Sequence, residues 1–481
     1  MEQRCSMKKR ELIPSTAAMS AQPTETQFQV SPSRRWETRA MVGILIVSLL
    51  VQGNALLHHG YMGQDYAQHS NSILHAMQTP YWWLFEASNP PLLYWLGAFI
   101  HHVTLSARYE AVLSLILVIL NLFALYAWFK LSQSMIRSPL IRIGALLTLA
   151  FLPFRLIHSE VLASDGLAVL PFTLVIFLFV RLLRARNPRR QLVLAALLSA
   201  TLMLGLLAKY TMFSAVAVAL LLLVFFRRSF ASRANWVVAL FLIVAIPAIL
   251  ARSEYRHYRD SSTGTYWKQT WGHDMQWRSL VFFREADREI LHAPSYDETI
   301  LVDGTPVFNL SISNRHSYPA LLHLSMYTDV LNIFQYDETD WYFGARSAEN
   351  RSRMALAVKS AVLLSALTVV AVVACVARIL FFLWRNRAQL ACRPLREQAI
   401  VLGFSLGFFA NIACLLPYIG YVYEAGYWLA RLVMPALLGF IFIGFVLLDS
   451  YVRSRRVYLL VLAYAVAQSA LHLSFLWPRG P

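Results

Sequence analysis

Apolar runs alternate with short polar connectors along nearly the whole chain. Runs close to or above the roughly 18 residues that cross a bilayer lie near Ala40–Leu57, Tyr109–Phe129, Ile141–Phe154, Gly166–Leu183, Gln191–Ala208, Thr211–Phe226, Asn235–Leu250, Ala355–Leu383, Ile400–Pro417, Leu429–Leu448 and Tyr458–Phe475. The third is short. The pattern predicts an all-α polytopic membrane protein with about eleven transmembrane helices.

Two stretches interrupt this alternation. Gly60 to Leu96 reads GYMGQDYAQHSNSILHAMQTPYWWLFEASNPPLLYWL, with an aromatic cluster at Tyr81-Trp82-Trp83 of the kind that favours the membrane–water boundary. Asn89-Pro90-Pro91 bars helix, because proline lacks a donor and pushes its predecessor out of the α region. Leu92 to Val103 is apolar but too short to cross, so the stretch predicts a loop and two interfacial helices lying on the bilayer. The second interruption, Arg252–Arg353, is polar and rich in Tyr, Trp, Asp and His, with Pro294, Gly304, Pro306 and Pro319 as breakers. A segment this long carries function or structure of its own, and a small helical cap with irregular pieces is expected. The chain therefore divides into a disordered tail over 1–38, a transmembrane module over 39–251 with its first outer loop at 58–108, the long loop at 252–353, and closing helices over 354–481. No internal repeat is visible.

Composition agrees with a membrane protein: of 481 residues 58% are hydrophobic and 14% charged, far from the quarter or so charged in soluble domains. The formal charge of +17 could point to nucleic acid, but its placement excludes that partner. The basic residues fill alternate connectors: Lys130, Arg137 and Arg142; Arg181, Arg184, Arg186, Arg189 and Arg190; Arg227, Arg228 and Arg233; Arg385, Arg387, Arg393 and Arg396; Arg453, Arg455 and Arg456. The only acids beside them are Glu397 and Asp449. This asymmetry puts the N-terminus in the cytoplasm, and an odd span count puts the C-terminus outside. Lys8-Lys9-Arg10 and Arg34-Arg35 precede the first run, which suits a retained signal anchor. The chemistry is expected on the extracytoplasmic face, of a bacterial inner or plasma membrane or of the endoplasmic reticulum. Cys5, Cys375, Cys392 and Cys414 offer neither a disulfide framework nor zinc spacing.

On that face, Asp65 follows the first run, and Glu160 and Asp165 lie between the third and fourth. Two carboxylates reaching one cavity can act as a general base and an orienting group, or hold a divalent cation. Each could also be an ordinary loop acid, and Asp165, in Ser164-Asp165-Gly166, also suits a helix start. Lys209, in Gly205-Leu-Leu-Ala-Lys-Tyr-Thr211, is an ammonium at membrane depth that needs a partner such as a phosphate, or else snorkels to the interface. Arg252, Arg256 and Arg259 follow the seventh run and Arg431 opens the tenth. Guanidinium groups bind phosphate in pairs of hydrogen bonds, although Glu254 and Asp260 are alternative partners for Arg256 and Arg259. His58-His59 and His101-His102 lack a companion ligand at metal spacing. Asn309-Leu-Ser311 and Asn350-Arg-Ser352 fit glycosylation acceptors.

An acid in the first outer loop, two interfacial helices with Pro90-Pro-Leu-Leu-Tyr-Trp-Leu96, an acid opening the fourth span and Leu207-Ala-Lys-Tyr-Thr211 after the fifth together resemble the integral-membrane glycosyltransferases of the GT-C superfamily. The branch in question holds the dolichyl-phosphate-mannose protein mannosyltransferases and the lipid A aminoarabinose transferase. The resemblance covers roughly Met41 to Leu250 and, more loosely, Arg431–Pro435. It implies a polyprenyl-phosphate sugar donor, a glycan, lipid or protein acceptor, and inversion at the anomeric carbon. It implies Asp65 as the base, Asp165 as the second-loop acid, and Lys209, Arg252 and Arg431 as donor-phosphate contacts. Tyr66, Asn89 and Tyr210, beside these motif positions, are the implied substrate contacts. No redox cofactor is implied, and a divalent cation is compatible. The family's Asp-Glu is here Asp65-Tyr66, and its Glu-Lys-Pro-Pro is Ser88-Asn89-Pro90-Pro91, which argues against the aminoarabinose reaction. Two other classes fit the same pattern of spans: a transporter or lipid flippase, though acids at span ends and the lack of repeats suit it less well, and a non-catalytic subunit that keeps the fold.

Overall fold

A computed structural model describes residues 32–57, 66–78, 90–104, 108–260, 300–302, 305–307, 393–422 and 430–476, with Met326 and scattered positions between 373 and 385. The first helix, α1 (Pro32–Leu57), begins inside the tail expected to be disordered through residue 38. The difference has a physical reason: Glu37 is buried and forms a paired contact with Arg142, at 2.6 and 2.7 Å, which ties the second turn of α1 to the bundle.

Next come α2 (Tyr66–Gln78) and α3 (Leu92–Thr104), 13 residues each. At 1.5 Å per residue each is about 20 Å long, too short to cross a bilayer, as the sequence predicts. They pack through Gly97, where an added Cβ would lie 2.9 Å from Ile73 Cγ2. The helix α4 (Tyr109–Met135) follows. The third apolar run forms α5 (Pro139–Ala150), and a separate short helix, α6 (Pro153–Glu160), starts at its end and occupies the connector that follows. Pro153 causes the break: it lacks the N–H needed to continue α5, and it holds Leu152 in an extended conformation (φ −67°, ψ 125°). The helices α7 (Ser164–Arg184) and α8 (Pro188–Ala208) form an antiparallel pair, followed by a 3₁₀ turn (Tyr210–Met212), α9 (Phe213–Phe225), a second 3₁₀ turn (Arg227–Ser229) and α10 (Arg233–Asp260).

The long polar segment opens inside α10, which runs on to Asp260; the next described residues lie at two short strands. They form an antiparallel hairpin of β1 (Ile300–Val302) and β2 (Thr305–Val307), pairing Ile300 with Val307. Met326 is buried, and its carbonyl accepts from the Phe154 N–H at 3.2 Å, so the segment touches the start of α6. The chain closes with α11 (Arg393–Val422), α12 (Ala430–Tyr451) and α13 (Arg455–Leu476). Six of the described helices, α1, α4, α7, α8, α12 and α13, are long and apolar enough to cross a membrane, and α5, α9 and the first part of α10 form shorter apolar helices. The expected span Ala355–Leu383 lies outside the described residues apart from isolated helical positions.

Two cores hold the bundle. The larger interleaves aromatic rings from α4, α7, α11 and α12: Trp128 with Phe442 at 4.8 Å, Phe172 with Phe408 at 5.1 Å, Phe179 with Phe404 at 5.5 Å. Small residues bring the helices close, as where Gly407 of α11 lies against Val218 of α9. The smaller core joins Ile73 of α2 and Leu93, Tyr94 and Ala98 of α3 to Leu113 and Leu117 of α4, Leu162, Leu167 of α7 and Ala208 of α8.

At the opposite, arginine-rich end, three buried acids bind distant elements together. Besides Glu37, Glu397 of α11 accepts from Arg184 at 2.7 and 2.6 Å. Asp449 of α12 accepts from the backbone N–H groups of Arg137 and Ser138, at 2.7 and 3.0 Å, where α5 begins. That is a helix cap supplied by another helix. Asp449→Ala is expected to lower unfolding stability by about 1–2 kcal/mol, with Asp449→Asn recovering part of it through its remaining oxygen, as measured by thermal unfolding in detergent.

Candidate active site

The backbone before α7 runs extended through Ala163 (φ −145°, ψ 153°), and Ser164 and Asp165 form the helix's first turn. A carboxylate there faces the positive end of the helix dipole. Its neighbour Gly166 lets α7 start hard against α6: an added Cβ would stand 2.7 Å from the His158 carbonyl oxygen and 3.5 Å from Ser159 Cα. Asn121 of α4 bridges the junction, its Nδ2 donating to the carbonyls of Leu117 at 3.0 Å and Gly166 at 3.1 Å. Gly166→Ala is therefore expected to shift the start of α7 and to reduce thermal stability, as measured by thermal unfolding in detergent. His158 offers backbone rather than a side chain that could swing away.

At the neighbouring end of α8, Lys209 leaves the helix in an extended conformation (φ −158°, ψ 131°), its N–H bonded to the Gly205 carbonyl at 2.8 Å. Its own carbonyl accepts from the Met212 N–H at 3.1 Å and so starts the 3₁₀ turn. The ammonium thus sits at the negative end of α8. Lys209 and Asp165 form an ion pair, with side chains only 12% and 6% exposed. Each charge is favoured by its own helix end and by the other. The pair is set beneath the short helices, since the adjoining Leu167 and Ala208 pack in one core with Leu93, Tyr94 and Ala98 of α3.

Of the residues singled out in the sequence, Asp165, Lys209 and Tyr210 come together here, Tyr210 half-buried in the 3₁₀ turn beside Lys209. Asp65 and Asn89 lie outside the described residues. Tyr66 opens α2, Glu160 ends α6, Arg252 lies within α10 and Arg431 in the first turn of α12, but their side chains are outside the described set. Among the described residues no three His, Cys, Asp or Glu side chains gather as a metal site. His101 and His102 end α3, with His101 edge-on to Tyr109 at 5.8 Å between centroids.

The sequence does not reveal the polar contacts that tie the short helices to each other and to α4. His69 of α2, buried, meets the Tyr94 hydroxyl of α3 at 3.0 Å. Ser70 donates to Glu110 of α4 at 2.6 Å, and the Tyr109 hydroxyl donates to the same oxygen at 3.3 Å. Nor does the sequence reveal Arg155 of α6, fully buried, which donates to Ser48 Oγ of α1 at 2.8 Å and to the Ala150 carbonyl at 3.1 Å. Gln52 of α1 donates to Ser159 beside it. The available signal was polar Ser48 and Gln52 inside an apolar run, where unpartnered polar groups are costly.

These features define an integral membrane protein with a buried carboxylate–ammonium pair at one end of its bundle, its flanking residues packed in one core with two short helices. No family model and no curated protein matches the chain. Among solved structures it is similar to the archaeal oligosaccharyltransferase AglB from Archaeoglobus fulgidus, determined in complex with an inhibitory peptide and a dolichol-phosphate, at 10% identity and a TM-score of 0.44 over 93% of this chain. The chain spans 57% of that protein's length.

Proposed function

We propose that this chain is an integral-membrane glycosyltransferase of the GT-C type. It moves a hexosyl or pentosyl unit from a polyprenyl-phosphate-linked donor to a hydroxyl of a glycan, lipid or protein on the extracytoplasmic side, with inversion. The finer resemblance, to the protein mannosyltransferase branch, belongs to the same reading. The observation that carries it is the Asp165–Lys209 pair. Two candidates 44 positions apart in the sequence share one buried place, beneath the helices that follow Asp65. Ordinary loop acids and snorkelling lysines would point to solvent instead.

In the proposed reaction the acceptor oxygen attacks the anomeric carbon while Asp65 takes its proton. The bond from that carbon to the phosphate oxygen breaks, and the polyprenyl phosphate departs with the electron pair. Charge growing on the phosphate is met by Lys209, with Arg252 and Arg431 as further cations. Asp165 holds the ammonium in position. Tyr66, Asn89 and Tyr210 contact the substrate. Transfer that survives EDTA would assign neutralisation of the phosphate to these side chains without a divalent cation.

The test is transfer from a panel of radiolabelled polyprenyl-phosphate sugars to extracted host lipids and proteins, with donor binding measured on the same purified protein. Label in an acceptor fraction supports the reading and identifies the sugar. A chain that binds none of the donors overturns it.

A further inference from the structure

The arginine-rich end of the bundle carries a built cluster that the proposed reaction does not use. It forms where α8 and α10 begin. Asn187 caps α8, its side chain accepting from the backbone N–H groups of Arg189 at 2.9 Å and Arg190 at 3.3 Å. Buried Gln191 then joins the two connectors, donating to the carbonyls of Ala185 at 2.8 Å and Ser229 at 3.3 Å and accepting from the Ala231 N–H at 2.9 Å. Asn235 of α10 donates to the Pro188 carbonyl at 2.9 Å, and Arg396 of α11 donates to Ser229 Oγ at 3.1 Å. The backbone at this corner is therefore fixed from three helices.

Arg189, Arg190, Arg227, Arg228 and Arg233 project from this corner, all exposed. None is ion-paired with an acid among the described residues, and the nearby Glu397 is already engaged by Arg184. Arg189, Arg190 and Arg233 occupy first turns, where the helix dipole disfavours a cation, and neither first turn contains an acid. Membrane orientation requires only an excess of basic residues in the connectors. It does not require arginines stacked on two adjoining positive helix ends, an arrangement that an anion relieves. Running away from the corner, Leu221, Val224 and Phe225 of α9 and Val237, Val238 and Phe241 of α10 are exposed. A ligand with an anionic head and hydrocarbon tails matches both features, whereas free phosphate or nucleic acid matches only the first.

We propose that this corner is a binding site for the headgroup of an anionic phospholipid, held by guanidinium–phosphate hydrogen bonds with its acyl chains along α9 and α10. The proposal stands whether or not the chain transfers sugar.

The experiment is native mass spectrometry of the full-length protein released from nanodiscs of equimolar phosphatidylglycerol and phosphatidylcholine. Wild type is expected to retain phosphatidylglycerol about tenfold over phosphatidylcholine, and Arg189→Gln/Arg190→Gln/Arg233→Gln to lose that preference. Arg453→Gln/Arg455→Gln/Arg456→Gln, which removes the same charge from the α12–α13 connector, is expected to keep it. Should the first variant fail to elute as a single species, Arg227→Gln/Arg228→Gln takes its place. Equal retention of the two lipids overturns the site, as does a preference that survives the α8–α10 variant. Equal loss in both triple variants replaces it with diffuse surface charge. Displacement of the lipid by inorganic phosphate, or by a short oligonucleotide, overturns the lipid assignment.

Discussion

Asp65→Asn is expected to lower sugar transfer in a single turnover by about 10²–10⁴-fold while leaving donor retention nearly unchanged. The amide has the size of the carboxylate but cannot accept the acceptor hydroxyl's proton. The proposed donor contacts, Lys209, Arg252 and Arg431, belong to other segments and keep their charge. Asp165→Asn should behave differently. Its carboxylate is engaged with Lys209, so the loss should appear first as weakened donor retention, through a misplaced ammonium, and then as reduced transfer. A split in which Asp65→Asn binds but does not transfer, and Asp165→Asn binds poorly, assigns base and positioning residue. Transfer by Asp65→Asn at the wild-type rate removes Asp65 from the reaction and leaves Glu160, at the end of α6, as the next carboxylate to replace. If wild type and variant both bind donor and neither transfers, the acceptor panel lacks the right molecule.

The helical, membrane-spanning character of the chain could be read from the sequence because a bilayer fixes helix length and composition locally, and six of the described helices meet that length. The second short helix could be read for the same reason, since Asn89-Pro90-Pro91 bars helix before Leu92 and Leu92–Thr104 is too short to cross. Asp165 and Lys209 could each be picked out, as charges at span ends. Their partnership could not, because it depends on which helices lie side by side. The same limit hid Glu37 with Arg142, 105 positions apart, and Glu397 with Arg184, 213 apart. Yet Glu397 and Asp449 stood out as rare acids among arginines, and the reasoning applied to rare cations on the other face applies to them: a charge where its sign is scarce has a local task. The helix that Pro153 starts was not legible in the sequence, because a length criterion carries the third run on to Phe154 and leaves the rest as a connector. Arg155 was obscured by its place in a connector, where basic residues are unremarkable. Only the packing of α1 against α6 shows it buried on Ser48.

Lys209→Met is expected to do two separable things, and a double variant distinguishes them. It leaves the Asp165 carboxylate buried without its ammonium, which should lower stability by about 3 kcal/mol, the usual cost of removing one partner of a buried pair. It also removes a cation from the departing phosphate, which should lower transfer by about 10²–10³-fold. Lys209→Met/Asp165→Leu removes both charges and substitutes apolar volume beside Leu167 and Ala208, residues already in an apolar core. Stability should return most of the way, because replacing a buried pair with packed apolar groups is often neutral. Transfer should not return, because nothing in the double variant meets the phosphate charge. Lys209→Arg keeps a cation and should retain partial transfer. If the double variant regains both stability and transfer, the ion pair is a clamp between α7 and α8 with no part in the chemistry, and the donor phosphate must be held by arginines elsewhere. If it regains neither, the junction of α6, α7 and α8 depends on the pair for its shape.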